Sequence, residues 1–208
     1  MKEYTTIAQR AQAEFIERKS QFIGVVAPVS TEEEAQALIA EVRAAHRDAT
    51  HNTFAYILNN GIKRCSDDGE PQGTAGVPIL DVLQKEGLTN IVAVVTRYFG
   101  GIMLGAGGLV RAYSHGAKIA VDAARRQVMS PAVLLRLVFD YSLYGKISYL
   151  LPKYQMIVEN SSFGETVEMQ VLFKATEEEA FRKEITELTA ATVAPEKIEE
   201  RFAEFPQK

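Results

Sequence analysis

Hydrophobic and polar positions alternate over residues 12–28, with Phe15, Phe22, Ile23 and Val25-Val26 apolar and Lys19-Ser20 between two runs. A period of two marks half-buried strands, so the spacing predicts two antiparallel strands. The period then lengthens. Ala35, Leu38, Ile39 and Val42 fall on one side of a helix, capped by Ser30 or Thr31, with Glu32, Glu33 and Glu34 in its first turn. Asn52 to Leu58 reads as a strand, Asn60-Gly61 as a hairpin turn and Ile62 to Cys65 as the return. A polar loop spans 66–73. A helix is expected over 74–85, with Val77, Leu80, Val82 and Leu83 apolar, closed by Gly87. The run Ile91-Val92-Ala93-Val94-Val95 within 91–98 reads as a buried strand, followed by a helix over about 106–126.

Beyond residues 127–131 the pattern becomes regular: strand 132–141, helix 145–154, strand 155–161, strand 165–173, helix 177–189 and strand 191–201. Thr176 followed by three glutamates looks like a second capping box, and Ser162-Phe163-Gly164 like a hairpin connection. This βαββαβ order is the ferredoxin-like arrangement. The expected class is α+β, with one domain over 1–129 and a ferredoxin-like domain over 130–208.

Composition narrows the function classes. The chain has 208 residues and a net charge of −4. Residues 1–128 hold 14 basic and 14 acidic side chains, and 129–208 hold 9 and 13, so the second part carries the whole net charge. A general nucleic-acid binder has a basic excess, so such a site here must be a local patch. No apolar run approaches the ~20 residues of a membrane span. The first residues lack the apolar core of a signal peptide, which makes the cytoplasm the default expectation. The lone Cys65 excludes an intrachain disulfide framework and reads as a small buried residue. No oligomeric state is implied.

The segment from Arg97 to Tyr113 carries the most unusual chemistry. Gly100, Gly101, Gly105, Gly107 and Gly108 crowd into nine positions between the buried strand and the next helix. Such density implies positive φ or close packing. A glycine-rich turn at a helix start also exposes N–H donors that suit an anion. Neither phosphate motif fits: no lysine follows the glycines as in a P-loop, and Val110 stands where a dinucleotide fingerprint needs its third glycine. Two readings stay open, a tight strand–helix connection and an anion site assisted by Arg97 or Arg111. On the second, Gly107→Val is expected to disrupt the loop.

Asp67, Asp68 and Glu70 place three carboxylates in four residues. They could hold Mg²⁺ with phosphate oxygens, form a solvated turn, or pair with Arg97 or Arg111 to shape the glycine loop. The two loops are expected to share one cleft. His51 could point at the same site or hydrogen-bond a loop, and His46 lacks a third ligand for a metal. His115, Tyr98 and Phe99 read as packing residues, and no nucleophile–base motif is present.

His51-Asn52, Ser66 to Gly76 and Arg97 to Tyr113, in this order and spacing, resemble the Impact family. Bacterial members of the YigZ type share the two-part layout. The resemblance implies an N-terminal domain with the fold of the second domain of a small-subunit ribosomal protein. It implies a ferredoxin-like C-terminal domain similar to one in elongation factor G. Eukaryotic relatives regulate translation by opposing activation of an initiation-factor kinase, and they carry a different N-terminal interaction domain not found in this sequence. Nucleic-acid binding has been proposed for bacterial relatives. Some are labelled proline dipeptidases, for which no metal-ligand set is visible here. The expected function is a non-enzymatic, translation-linked binding protein with an RNA, ribosome or translation-factor partner. Its ligand-binding residues would be Arg97, the five glycines, Arg111, His51 and Thr74, with no cofactor. The alternative is a Mg²⁺-dependent enzyme acting on a phosphate-bearing small molecule.

Overall fold

The computed structural model describes residues 1–206. The chain divides into two compact units, one from Tyr4 to Gln127 and one from Val128 onward that also takes in Met1–Glu3. None of the helices described is long and apolar enough to cross a membrane.

The first unit begins with β1 (Tyr4–Ile7), followed by β2 (Ala11–Glu17), β3 (Ser20–Pro28), α1 (Glu32–Ala45), β4 (His51–Ile57), β5 (Lys63–Ser66), α2 (Gly76–Lys85), β6 (Ile91–Tyr98) and α3 (Ala106–Asp122). Five of its strands form an antiparallel sheet in the order β2-β3-β6-β4-β5. The central β6 is buried on both faces, as its apolar run requires. Val92 and Val94 pack with Ile39 and Val42 of α1. Ile91, Ala93 and Val95 face the other way, against Ile79 of α2 and Tyr113 and Ala117 of α3. Alternation along the strand therefore assigns each residue its layer. Continued past Val95, it sends Thr96 to the α1 side and Arg97 to the α2–α3 side.

Local signals explain most boundaries. Thr31 caps α1, its side chain accepting from Glu34 N at 3.2 Å. The β2–β3 turn is Arg18-Lys19, both at positive φ, one residue earlier than the alternation suggested. On α2, Ile79 and Leu83 lie deepest and Val77 is exposed, so the buried face is rotated from the expected one. The α3 helix stops at Asp122, short of the expected 126, because the next strand starts at Arg126. The four-residue β1 was not anticipated. It is fixed by distant bonds, Thr6 Oγ1 donating to Asn90 O at 3.0 Å.

The second unit is built from β7 (Arg126–Phe139), α4 (Tyr141–Leu150), β8 (Met156–Phe163), β9 (Val167–Lys174), α5 (Glu178–Leu188) and β10 (Glu196–Ala203). Its antiparallel strands lie in the order β10-β7-β9-β8. This is the ferredoxin-like βαββαβ arrangement. Leu135, Leu137, Val171 and Phe173 from the strands pack with Ile147 of α4 and Phe181 and Ile185 of α5. The expected Thr176 cap does not form. A 3-10 turn precedes α5, and Glu177 instead accepts from Gln155 N at 2.5 Å. Ala190 and Ala191 adopt positive φ after α5, and the last strand starts five residues later than expected.

Candidate functional site

Strand alternation places Arg97 on a buried face, where an unpaired guanidinium is costly. Arg97 is only 5% exposed. Its Nη1 donates to Glu70 Oε1 at 2.6 Å, and its Nη2 lies 3.4 Å from Ser20 Oγ. The guanidinium sits between the rings of Phe22 and Phe99, at 5.5 and 5.3 Å. Its Nε is buried without a hydrogen-bond partner. Glu70 is also buried. The same Oε1 accepts from Tyr113 Oη at 2.6 Å, and the other oxygen lies 3.8 Å from His51 Nε2. The acidic loop, β4, β6 and α3 thus meet on one carboxylate. Burial, then the bond to Glu70, pushes the Tyr113 phenol well above its ordinary range.

The remaining loop carboxylates point elsewhere. Asp67 accepts from the backbone N–H groups of Gly73, Ala75 and Gly76 at 2.8, 3.0 and 2.8 Å. It caps α2 from outside the helix, because Ala75 at the cap position has no side chain that could. Burial alone would raise its pKa, but the three donors outweigh this and hold it below the ordinary carboxylate value. Asp68 pairs with Arg43 at 2.8 Å and accepts from Asn52 N at 2.7 Å. His51 Nδ1 lies 2.7 Å from the carbonyl of Asp68, so that nitrogen carries the proton. His51 therefore both bonds the loop and faces the site. Thr74 is buried and donates to Pro71 O at 2.6 Å, inside its own loop. Asp67, Asp68 and Glu70 do not converge, and among the described residues no three His, Cys, Asp or Glu side chains are grouped to hold a metal ion.

The glycine segment rests on this network. Gly100 N donates to Ser20 Oγ at 3.1 Å. A Cβ at Gly100 would overlap the backbone of Lys19, so only glycine permits this approach. Gly101 and Gly105 adopt positive φ, whereas Gly107 and Gly108 lie in the first turn of α3. Gly107 has room: a Cβ there would meet only Arg111 Nη1, at 3.8 Å, so steric disruption by substitution is not what its surroundings dictate. Phe99, Ile102 and Met103 project from the segment, 48%, 41% and 82% exposed. The reading of Phe99 as core is thereby corrected. Tyr98 turns to the α1 side and meets His46 Nδ1 at 2.8 Å.

Of the sequence-predicted residues, the structure brings Arg97, Glu70, His51 and Gly100 together. Arg111 stays apart from the loop carboxylates. Ser20 and Tyr113 were not foreseen. Tyr113 lies on the apolar face of its helix, so only its hydroxyl carried a signal. His115 packs edge-on to Phe15, with centroids 4.6 Å apart. Cys65, expected to be buried, is exposed on the edge strand β5. Its thiol pKa is raised, by partial desolvation among its neighbours first and then by Asp67 and Asp81. Every strong acid or base at the centre is already held by an internal partner. Such a cluster positions the loops.

Residues 18–121 match the Impact N-terminal domain, and residues 137–192 match a domain of unknown function, DUF1949. The chain is 41% identical to the IMPACT family member YvyE of Bacillus subtilis over 191 residues, 89% of this chain and 87% of that protein. It is 35% identical to the IMPACT family member YigZ of Escherichia coli, over 88% of this chain and 92% of that one. Protein IMPACT of Mus musculus is 33% identical over 43% of this chain and 30% of its own length. A crystal structure described as a hypothetical protein superposes with a TM-score of 0.64 at 32% identity, covering 96% of this chain and 98% of that one. The chain belongs to the Impact family.

Proposed function

We propose that this chain is a non-enzymatic binding protein linked to translation, and that its partner docks on the glycine segment and the start of α3. One observation carries the reading. A buried network of Arg97, Glu70, Tyr113 and Ser20 holds a segment whose apolar side chains, Met103 above all, are turned to solvent. Folding alone gives no reason to anchor an exposed apolar tip so firmly, whereas a docking surface needs a rigid support. The acidic loop acts as that support, since each of its carboxylates has an internal partner. The link to translation rests on what the Impact resemblance implies.

Sedimentation of the intact chain with purified ribosomal subunits tests this reading. Co-sedimentation that is lost in Met103→Asp is expected. Met103 is 82% exposed, so the change leaves the core intact. A chain that stays at the top of the gradient with both subunits, or a Met103→Asp variant that sediments like the parent, overturns it.

A further inference from the structure

Three aromatic side chains of the second unit meet at its surface, where α4 begins and the β8–β9 hairpin turns. The Phe163 ring lies 6.5 Å from that of Tyr141 at 36°, and 5.7 Å from that of Tyr144 at 69°, centroid to centroid. The three residues are 40–57% exposed. Tyr141 and Tyr144 stand three positions apart on α4, which enters the core through Ile147 and Leu150 instead. Tyr141 Oη donates to Gly164 O at 2.9 Å and ties the helix start to the hairpin. Asp140 and Glu165, both exposed, border this contact along the chain. Asp140 stands at the N-cap of α4 yet makes no side-chain capping bond. Among the described residues neither carboxylate has an ion pair or hydrogen bond. Asp140 also lines a hollow of about 180 Å³, whose walls mix Val138, Leu143 and Val193 with Thr166 and Thr192. That volume is below the range of small-molecule sites and suits one long side chain.

We propose that this surface docks a basic peptide segment of a partner protein. One arginine or lysine lays its charged head over the Phe163 ring, within about 6 Å of a second ring. A neighbouring basic side chain runs its aliphatic stem into the hollow and ends at Asp140. Exposed rings alone would fit any apolar or stacking partner, and charge decides between them. Residues 129–208 carry the whole net charge of −4. With Asp140 and Glu165 beside the rings, a phosphate backbone is repelled and a cation is attracted. Lys146 lies more than half a turn round α4 from Tyr144, so it does not cancel those carboxylates on the ring side. The positive end of α4 opposes a cation, and the uncapped carboxylate of Asp140 offsets it. The surface belongs to the second unit, so the inference stands apart from docking at Met103.

The test titrates the intact, ¹⁵N-labelled chain with a short blocked peptide of alternating glycine and arginine, its lysine and glutamate counterparts, and a single-stranded oligouridylate. Saturable shifts of the Tyr144, Gly164 and Glu165 amides are expected with the arginine peptide. They should be weaker with lysine and absent with the glutamate peptide and the oligonucleotide. Tyr144→Leu keeps an apolar side chain and removes the ring face. It should weaken arginine-peptide binding about threefold to fivefold, the worth of a cation–π contact at an exposed site. Asp140→Asn combined with Glu165→Gln should also weaken it and flatten its salt dependence. All three positions are exposed, so an otherwise unchanged spectrum shows that each variant keeps its fold. Absence of saturable shifts with the arginine peptide, equal binding of the glutamate peptide or the oligonucleotide, or unchanged affinity in either variant overturns the inference. Shifts of the same amides when the chain alone is diluted give the surface to a second copy and also overturn it.

Discussion

Arg97 and Tyr113 donate to the same oxygen of Glu70, each at 2.6 Å, from a strand and a helix that meet only in the folded chain. The pair is buried, and the two donors converge on the one carboxylate of the acidic loop that is turned into the core. Removing one partner of a buried ion pair leaves an uncompensated charge, which costs about 3–5 kcal/mol. Arg97→Ala should destabilise the first unit by that amount in urea unfolding. Tyr113→Phe should cost less, about 1–3 kcal/mol, because Arg97 still satisfies the carboxylate. Equal effects, or an Arg97→Ala loss below about 1 kcal/mol, would contradict this account.

Acid should act through Asp67. Its folded-state pKa lies below the unfolded value, because three backbone N–H groups favour the carboxylate over the effect of burial. Its contribution is therefore fully present above the ordinary aspartate pKa of about 3.9 and is lost as pH falls through the folded value. Asp67→Asn should be destabilised at neutral pH and should show a shallower loss of stability on acidification. Urea midpoints measured for both proteins across that range decide it, and parallel curves would mean that Asp67 is not the sensitive group.

In alkali, one tyrosine should ionise late enough to resolve. Burial, then the bond to Glu184 at 2.7 Å, raises Tyr154 to about 12. The folded value lies above the unfolded one of about 10, so this contribution is intact below about pH 10 and fades as pH rises through the folded value. An ultraviolet titration should show a phenol step near 12 that is absent in Tyr154→Phe.

Two glycines of the same segment should respond in opposite ways. A Cβ at Gly100 overlaps the Lys19 backbone, so Gly100→Ala must push the hairpin and the glycine segment apart and lower the melting temperature sharply. Gly107 is helical and has space, so Gly107→Ala should be neutral or stabilising by up to about 1 kcal/mol. Similar melting temperatures for the two variants would remove the close-approach argument.

Local pattern made much of the fold readable. The run from Ile91 to Val95 is buried because it is apolar on both faces, and Thr31 caps α1 because a short hydroxyl before three glutamates satisfies free N–H groups. The βαββαβ order emerged from alternating periods alone. Signals failed where the partner lay far away in sequence. The strand β1 bonds to residues 89 and 90, more than eighty positions away, and the Cys65 side chain is exposed because β5 is an edge strand. The rotated face of α2 followed packing against the sheet, which outweighs the apolar character of Val77.

The candidate site divides along the same line. The sequence by itself determined that a polar loop with three carboxylates and a glycine-rich strand–helix connection would exist, because composition and short-range spacing encode both. It could not distribute the carboxylates. Positive φ at Asp68 and Gly69 turns the loop. Asp67 then meets the α2 amides, Asp68 meets Arg43, and Glu70 meets Arg97 and Tyr113. Those last contacts join residues 27 and 43 positions apart. Only the tertiary structure decided which acid was buried, because a charge leaves water only where folding has already placed its counter-charge within hydrogen-bond reach.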